Sequence, residues 1–281
     1  MLDINILKEN VDDVKKYKQR EQEFEKLGMF NEDVDDISPD SFFPVDENFE
    51  FIKKGFKNFI KHKVYLSILK KYTKLINKNL TNLKVVGKEN LKGVKGSIVT
   101  CNHISKVDSF AVREAIGYDI NYVANDTNNW KGPIGDIGRQ TGYLPLSTKL
   151  DKNLMRKFNQ AMEYYLEKKK RKILIYPEQA MWREEPRPRP LKDGAFHYAV
   201  KHKVPVLPLF ITFEPKEKMV DEQNRQEFSD YTIHILPAIY PKSELNNKEN
   251  VEYMKNENYR LWKETYETTY NKKLEFNTIE K

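Results

Sequence analysis

The chain has 281 residues, 49 Lys/Arg against 42 Asp/Glu for a formal net charge of +7, and 39% hydrophobic residues, among them 15 Phe and 16 Tyr. That is long and aromatic enough to bury a sizeable core and excludes wholesale disorder. One cysteine, Cys101, excludes an intrachain disulfide and any multi-cysteine zinc site, so a reduced, intracellular setting is the simplest expectation.

The charge is unevenly spread. Residues 1–48 hold 6 Lys/Arg against 14 Asp/Glu, so the excess of cations lies wholly in the remainder. Ile4, Leu7, Val11 and Val14 recur at helical spacing and predict a helix over 1–27, stopped at Gly28. Residues 29–48, broken by Pro39 and Pro44, read as an acidic loop. The first residues carry acids early and lack a continuous apolar stretch, so no secretory signal is expected. No spanning helix is expected either. The longest mostly apolar run, 204–213, contains two prolines and is far short of the roughly 20 residues a bilayer requires.

Residues 49–80 hold 9 Lys and one Glu. Phe49, Ile52, Phe56, Ile60, Val64, Ile68, Tyr72 and Leu75 form an apolar stripe at helical spacing, flanked by lysines such as Lys57, Lys61, Lys71 and Lys78. A helix over 49–79 with this pattern suits an anionic membrane surface. It also suits packing on the protein's own core with a solvated lysine face.

Beyond residue 83 short strands alternate with helices. Strands are expected at 83–87, 97–102, 120–124, 142–146, 172–177, 205–213 and 231–237. Helices are expected near 108–116, 151–170 and 191–202, with a last amphipathic helix over 247–270. That order predicts an α/β fold, a mixed sheet flanked by helices with an N-terminal helical extension. The expected organisation is an acidic helical extension and linker (1–48), a basic amphipathic region (49–82), the main α/β domain (83–245) and a C-terminal helical segment (246–281). Gly132, Gly135 and Gly138, three residues apart, read as turns.

Several signatures are missing. There is no G-x-S-x-G, no G-x-x-x-x-G-K-[ST], no G-x-G-x-x-G and no H-E-x-x-H. The positive signal is Asn102-His103-Ile104-Ser105-Lys106-Val107-Asp108, where an apolar strand ends and a helix begins. Ligand sites in α/β sheets favour such strand ends. A histidine there can act as a general base near neutral pH, provided a partner holds one ring nitrogen protonated. Asp108, five residues on, can fold back to do so, as in the His–Asp half of a triad. The spacing alone equally fits an N-cap aspartate beside an ordinary loop histidine.

Further segments follow in order: Gly142-Tyr143-Leu144-Pro145-Leu146, Ile175-Tyr176-Pro177-Glu178, Leu191-Lys192-Asp193-Gly194-Ala195-Phe196 and Val204-Pro205-Val206-Leu207-Pro208. Together with the N-H-x-x-x-x-D block, over about residues 84–215, this set resembles the glycerolipid acyltransferase family, of the 1-acylglycerol-3-phosphate type. The resemblance implies His103 as general base and Asp108 as the group that orients it. Attack of a glycerol hydroxyl on an acyl thioester would be direct, without an acyl-enzyme. Glu178 would help shape the acceptor site, with Lys192 and Gly194 as a Lys-x-Gly element beside it. The donor would be acyl-CoA or acyl carrier protein, the acceptor a lysophospholipid, and no metal or redox cofactor would be required.

Two departures stand out. The family's second block usually ends in an Arg that grips the acceptor's phosphate; here Leu146-Ser147-Thr148-Lys149 offers only Lys149, one residue displaced. The usual Pro-Glu-Gly-Thr-Arg is here Pro177-Glu178-Gln179-Ala180-Met181. A basic run follows: Arg183, Arg187, Arg189 and Lys192, threaded with Pro186, Pro188 and Pro190. Prolines stiffen such a loop and arginines bind phosphate bidentately, so this loop is expected to supply the missing phosphate contacts. The protein is expected in the cytoplasm, on the periphery of an anionic membrane. Rival readings are another lyso-lipid or alcohol acceptor, or a membrane-binding relative without activity. The basic stripe carries no recognised nucleic-acid motif, so nucleic acid is not an expected partner.

Overall fold

The computed structural model of the chain describes residues 3–34, 41–147 and 151–278. Its centre is a seven-stranded sheet: β1 (Lys84–Val86), β2 (Ser97–Thr100), β3 (Asn121–Asn125), β4 (Tyr143–Leu146), β5 (Lys172–Ile175), β6 (Val206–Glu214) and β7 (Asp230–Ile235). The spatial order is β1-β7-β6-β2-β5-β3-β4. Strands β6, β2, β5, β3 and β4 run parallel; β7 is antiparallel to β6, and β1 is parallel to β7. The sheet is therefore mixed, and all seven strands lie where the apolar runs predict them.

The two faces of the sheet follow from strand alternation. Ile98, Ile173 and Val206 turn to one face and pack with Phe158, Met162, Phe196 and Met254. These come from α5 (Lys152–Glu163), α6 (Gly194–Lys201) and α7 (Asn247–Tyr270). Val99, Leu174 and Leu207 turn to the other face and pack with Ile76, Ala111 and Val112, from α2 (Phe56–Asn79) and α3 (Asp108–Ile116). The outcome is a three-layer α/β domain. Each fully buried Ile, Leu or Phe contributes on the order of 1.5–3 kcal/mol.

Three elements depart from expectation. The first helix, α1 (Val11–Lys26), is preceded by a short 3-10 turn, Ile4–Leu7. Asn10 breaks them apart: its backbone is extended, its side chain caps the Asp12 N–H, and it bridges Arg225. Helix α2 starts at Phe56 and not at residue 49, because Gly55 before it has φ +89°, a conformation helices exclude. Phe49 and Ile52 leave the expected stripe and, with Phe51 between them, pack on the core. The third is α4 (Gly132–Gln140), a helix where the glycine triplet reads as turns. Its glycines serve close approach. A Cβ on Gly135 would lie 1.7 Å from the Trp130 carbonyl oxygen, and one on Gly138 would lie 2.8 Å from the Tyr122 hydroxyl. The predicted 151–170 helix also appears, its last turns Tyr164–Lys168 widened into a π-helix.

No helix among the described residues is long and apolar enough to cross a membrane. The first half of α2 nevertheless exposes Phe56, Phe59, Ile60, Val64 and Ile68 to solvent, while its second half buries Leu69 and Ile76.

Candidate active site

Strands β2 and β5 are neighbours in parallel register, with Thr100 opposite Ile175. The loops leaving their carboxyl ends, 101–107 and 176–193, therefore lie side by side at the edge where α/β sheets place ligands. Asn102 anchors the first loop. Its side-chain amide donates to the Ile211 carbonyl at 2.9 Å and accepts from the Ile211 N–H at 2.7 Å, which ties the turn to β6. Cys101, just before it, is fully buried core, and burial pushes its thiol well up.

His103 Nδ1 lies 2.8 Å from Asp108 Oδ2. That same carboxylate oxygen accepts the N–H groups of Ile104 at 2.8 Å and Ser105 at 3.0 Å. An ionised carboxylate only accepts, so Nδ1 carries the proton in this pair and Nε2 is left with its lone pair. Asp108 is completely buried, and burial pushes its carboxyl up, against the pull of His103 and the two amides. His103 is a quarter exposed, and Nε2 has no hydrogen-bond partner among the described residues. Tyr176, next to Pro177, stacks on the imidazole with ring centroids 4.0 Å apart. Burial pushes its phenol well above the usual range, and the Asp108 charge adds to this.

Glu178 is buried behind this pair. Its Oε2 accepts the His103 N–H at 2.9 Å and Arg189 Nη2 at 2.9 Å, and its Oε1 accepts the Arg189 N–H at 2.8 Å. Three successive amides, 103 to 105, thus donate to two buried carboxylates. Lys192 returns beside Glu178 through its N–H to the Pro177 carbonyl at 2.9 Å; its side chain is exposed, and Gly194 opens α6. Lys149 lies outside the described residues.

The arginine loop is arranged differently from the expectation. Its guanidinium groups meet carboxylates of the chain itself. Arg183 makes a two-pronged pair with Glu9, at 2.6 and 2.7 Å, and Lys106 shares that carboxylate at 2.7 Å. Arg187 does the same with Glu25, at 2.9 and 2.8 Å, and with its neighbour Glu185. Arg189 takes Glu178. The Arg183 N–H also donates to Glu21 at 2.6 Å. Burial works to raise the Glu9 and Glu25 carboxyls, but hydrogen bonds from Arg183 and Lys106, and from Arg187, outweigh it and hold both below the ordinary value. The pairs with Glu185 and Glu25 push Arg187 further up. Trp182 is fully buried beneath the N-terminal segment and donates its ring N–H to the Glu32 carbonyl. The acidic extension thereby supplies counter-charges to Arg183 and Arg187. Glu9, Glu21, Glu25 and Tyr176 were not singled out in the sequence; the one signal for the three glutamates is the acidic excess before residue 48 set against the cations of 183–192.

Residues 82–212 match the family model named Acyltransferase. No curated protein matches the chain in sequence. Among solved structures, the 1-acyl-sn-glycerophosphate (LPA) acyltransferase PlsC of Thermotoga maritima shares the fold. The TM-score is 0.56 at 20% sequence identity, with 73% of this chain and 80% of that chain covered. The N-H-x-x-x-x-D turn and the β5 loop beside it both fall within the segment that the Acyltransferase model matches, on a fold similar to that of the Thermotoga maritima protein.

Proposed function

We propose that the protein transfers a fatty acyl group from an acyl thioester to the hydroxyl of a lysophospholipid, with 1-acylglycerol-3-phosphate as the first candidate acceptor. The observation that carries this is the His103–Asp108 pair. Nδ1 is tied to a carboxylate that is itself fixed by two backbone amides, and Nε2 is the open nitrogen. The acceptor hydroxyl gives its proton to Nε2 as its oxygen attacks the thioester carbonyl carbon. Asp108 stabilises the imidazolium that forms. The tetrahedral adduct then collapses, the carbon–sulfur bond breaks, and the thiolate leaves with the proton returned from His103. Each step uses side chains of this chain only, with no metal or redox group. The donor is acyl-CoA or an acyl carrier protein.

The protein works on the face of an anionic membrane. Support comes from the first half of α2, where exposed Phe56, Phe59, Ile60 and Val64 stand among Lys57, Lys61 and Lys63, with Lys54 just before the helix. One observation favours a second acceptor. The loop arginines 183, 187 and 189 are engaged by Glu9, Glu25 and Glu178, so a phosphate monoester finds no open guanidinium there, and a lyso-lipid with another head group fits as well. The test is a panel of lyso-acceptors offered with acyl-CoA and with acyl carrier protein, read by mass spectrometry of the lipid product. Product with lysophosphatidic acid supports the first reading, product only with another acceptor the second. No product from any combination contradicts both.

A further inference from the structure

Arg189 and Glu178 grip the peptide groups on both sides of His103. Glu178 Oε2 accepts the His103 N–H at 2.9 Å, and Arg189 Nη2 lies 3.3 Å from the His103 carbonyl oxygen, which also accepts the Trp182 N–H at 3.1 Å. The two side chains are joined at 2.9 Å, and each is 1% exposed. The guanidinium is itself fixed: Nη1 donates to the Phe30 carbonyl at 2.8 Å, Nη2 also donates to the Ala180 carbonyl, and the Trp182 ring lies 4.8 Å away.

An ion pair this deeply buried is a weak source of net stability, since desolvation offsets most of its attraction. What it does supply is geometry. Two of its bonds meet on one residue, at the N–H and the carbonyl of His103, and that residue carries the imidazole. Resting on the acyl-transfer reading above, we propose that Arg189, through Glu178 and the His103 carbonyl, is a positioning residue that sets the attack geometry of the His103 imidazole, and is not a contact for the acceptor's head group. With Nη1 and Nη2 taken by these partners and the side chain 1% exposed, Arg189 has little left to offer a ligand; Lys192, exposed, remains for that.

The experiment compares the native chain with Arg189→Lys, Arg189→Met and the double variant Arg189→Met/Glu178→Gln. Lysine keeps the charge but lacks the fork that spans Glu178 and the His103 carbonyl. The double variant removes both buried charges together, so it keeps the test open should Arg189→Met alone fail to fold. Expected is a fall in kcat of roughly 10- to 100-fold, the scale of a misplaced catalytic group, with the acceptor KM little changed. The 15N spectrum of His103 should pass from one tautomer, protonated at Nδ1, to a mixture. An unchanged kcat with a raised acceptor KM would overturn the proposal in favour of a head-group contact. Unchanged kcat, KM and tautomer in the folded double variant would leave the pair a purely structural one and overturn it as well. Should the native chain transfer no acyl group, the acyl-transfer reading fails by itself, and the tautomer comparison still decides whether Arg189 orients His103.

Discussion

The imidazole of His103 lies flat on the ring of Tyr176, centroids 4.0 Å apart and planes 14° from parallel. The stack fixes the one rotation that the hydrogen bond to Asp108 leaves open, the tilt of the ring about its Nδ1–Oδ2 line. The Tyr176 hydroxyl has no part in this; it is buried without a hydrogen-bond partner among the described residues. Tyr176→Phe is therefore expected to keep full activity and to gain about 1 kcal/mol of stability, because an unmet buried polar group is removed. Tyr176→Leu, which cannot stack, is expected to lose activity on the order of 10-fold while the fold persists. Thermal denaturation and initial rates check both.

The N-terminal clamp makes a pH prediction. Glu9 and Glu25 are held below their ordinary value of 4.5 by their arginine and lysine partners, against the upward pull of burial. A carboxyl depressed in the fold contributes stability that is fully present above its unfolded value and is lost as pH falls through the folded one. Glu21, raised by burial, acts in the opposite sense as pH rises through its folded value. Amide exchange in α1 is thus expected to be faster at a pH below the ordinary carboxyl value of 4.5 than at neutral pH, before the sheet opens. Glu9→Gln should reproduce that loosening at neutral pH, at a cost of about 2 kcal/mol for a lost charge-assisted pair. Equal exchange in α1 at both pH values would contradict the clamp.

Two glycines make a contrasting pair. A Cβ on Gly135 meets the Trp130 carbonyl oxygen at 1.7 Å, whereas one on Gly194 meets nothing within 4 Å. Gly135→Ala must push α4 away from the segment before it, and a loss of about 1–3 kcal/mol is expected. Gly194→Ala, at the start of α6, should gain up to about 1 kcal/mol through a stiffer unfolded chain. A rise in acceptor KM for Gly194→Ala without loss of melting temperature would place the acceptor against that turn.

Much of this was legible in the sequence because it is local. Every strand of the sheet is a short run of apolar residues between breakers, and the N-H-x-x-x-x-D turn declares itself at the strand–helix junction. Helix α4 was not legible, since glycine disfavours helix on propensity alone; the helix exists because Gly135 and Gly138 let it approach Trp130 and Tyr122. The start of α2 was misread because Phe49 and Ile52 continue its apolar spacing, while Gly55 and core packing break it. The partners of Arg183, Arg187 and Arg189 were the hardest part. The two pairs with Glu9 and Glu25 join residues more than 150 positions apart, and no local pattern encodes such contacts. The basic loop accordingly reads in the sequence as waiting for a phosphate, when its own chain supplies the anions.

The exposed half of α2 predicts where a membrane would be met. Phe56 and Phe59 are 79% and 54% exposed, so serine at both positions should leave the melting temperature unchanged. Binding to vesicles containing anionic lipid is expected to fall, and binding of the native chain should weaken as salt rises and screens the lysines. Vesicle binding that is indifferent to both serines and to salt would move the contact elsewhere.

The most direct measurement is acyl transfer from acyl-CoA and from acyl carrier protein to lyso-acceptors by the native chain and by His103→Ala, with product identified by mass spectrometry. Product from the native chain, lowered by at least about 10²-fold in His103→Ala as for a lost general base, is the expected result. Equal product from both would contradict His103 as the base, and with it the mechanism.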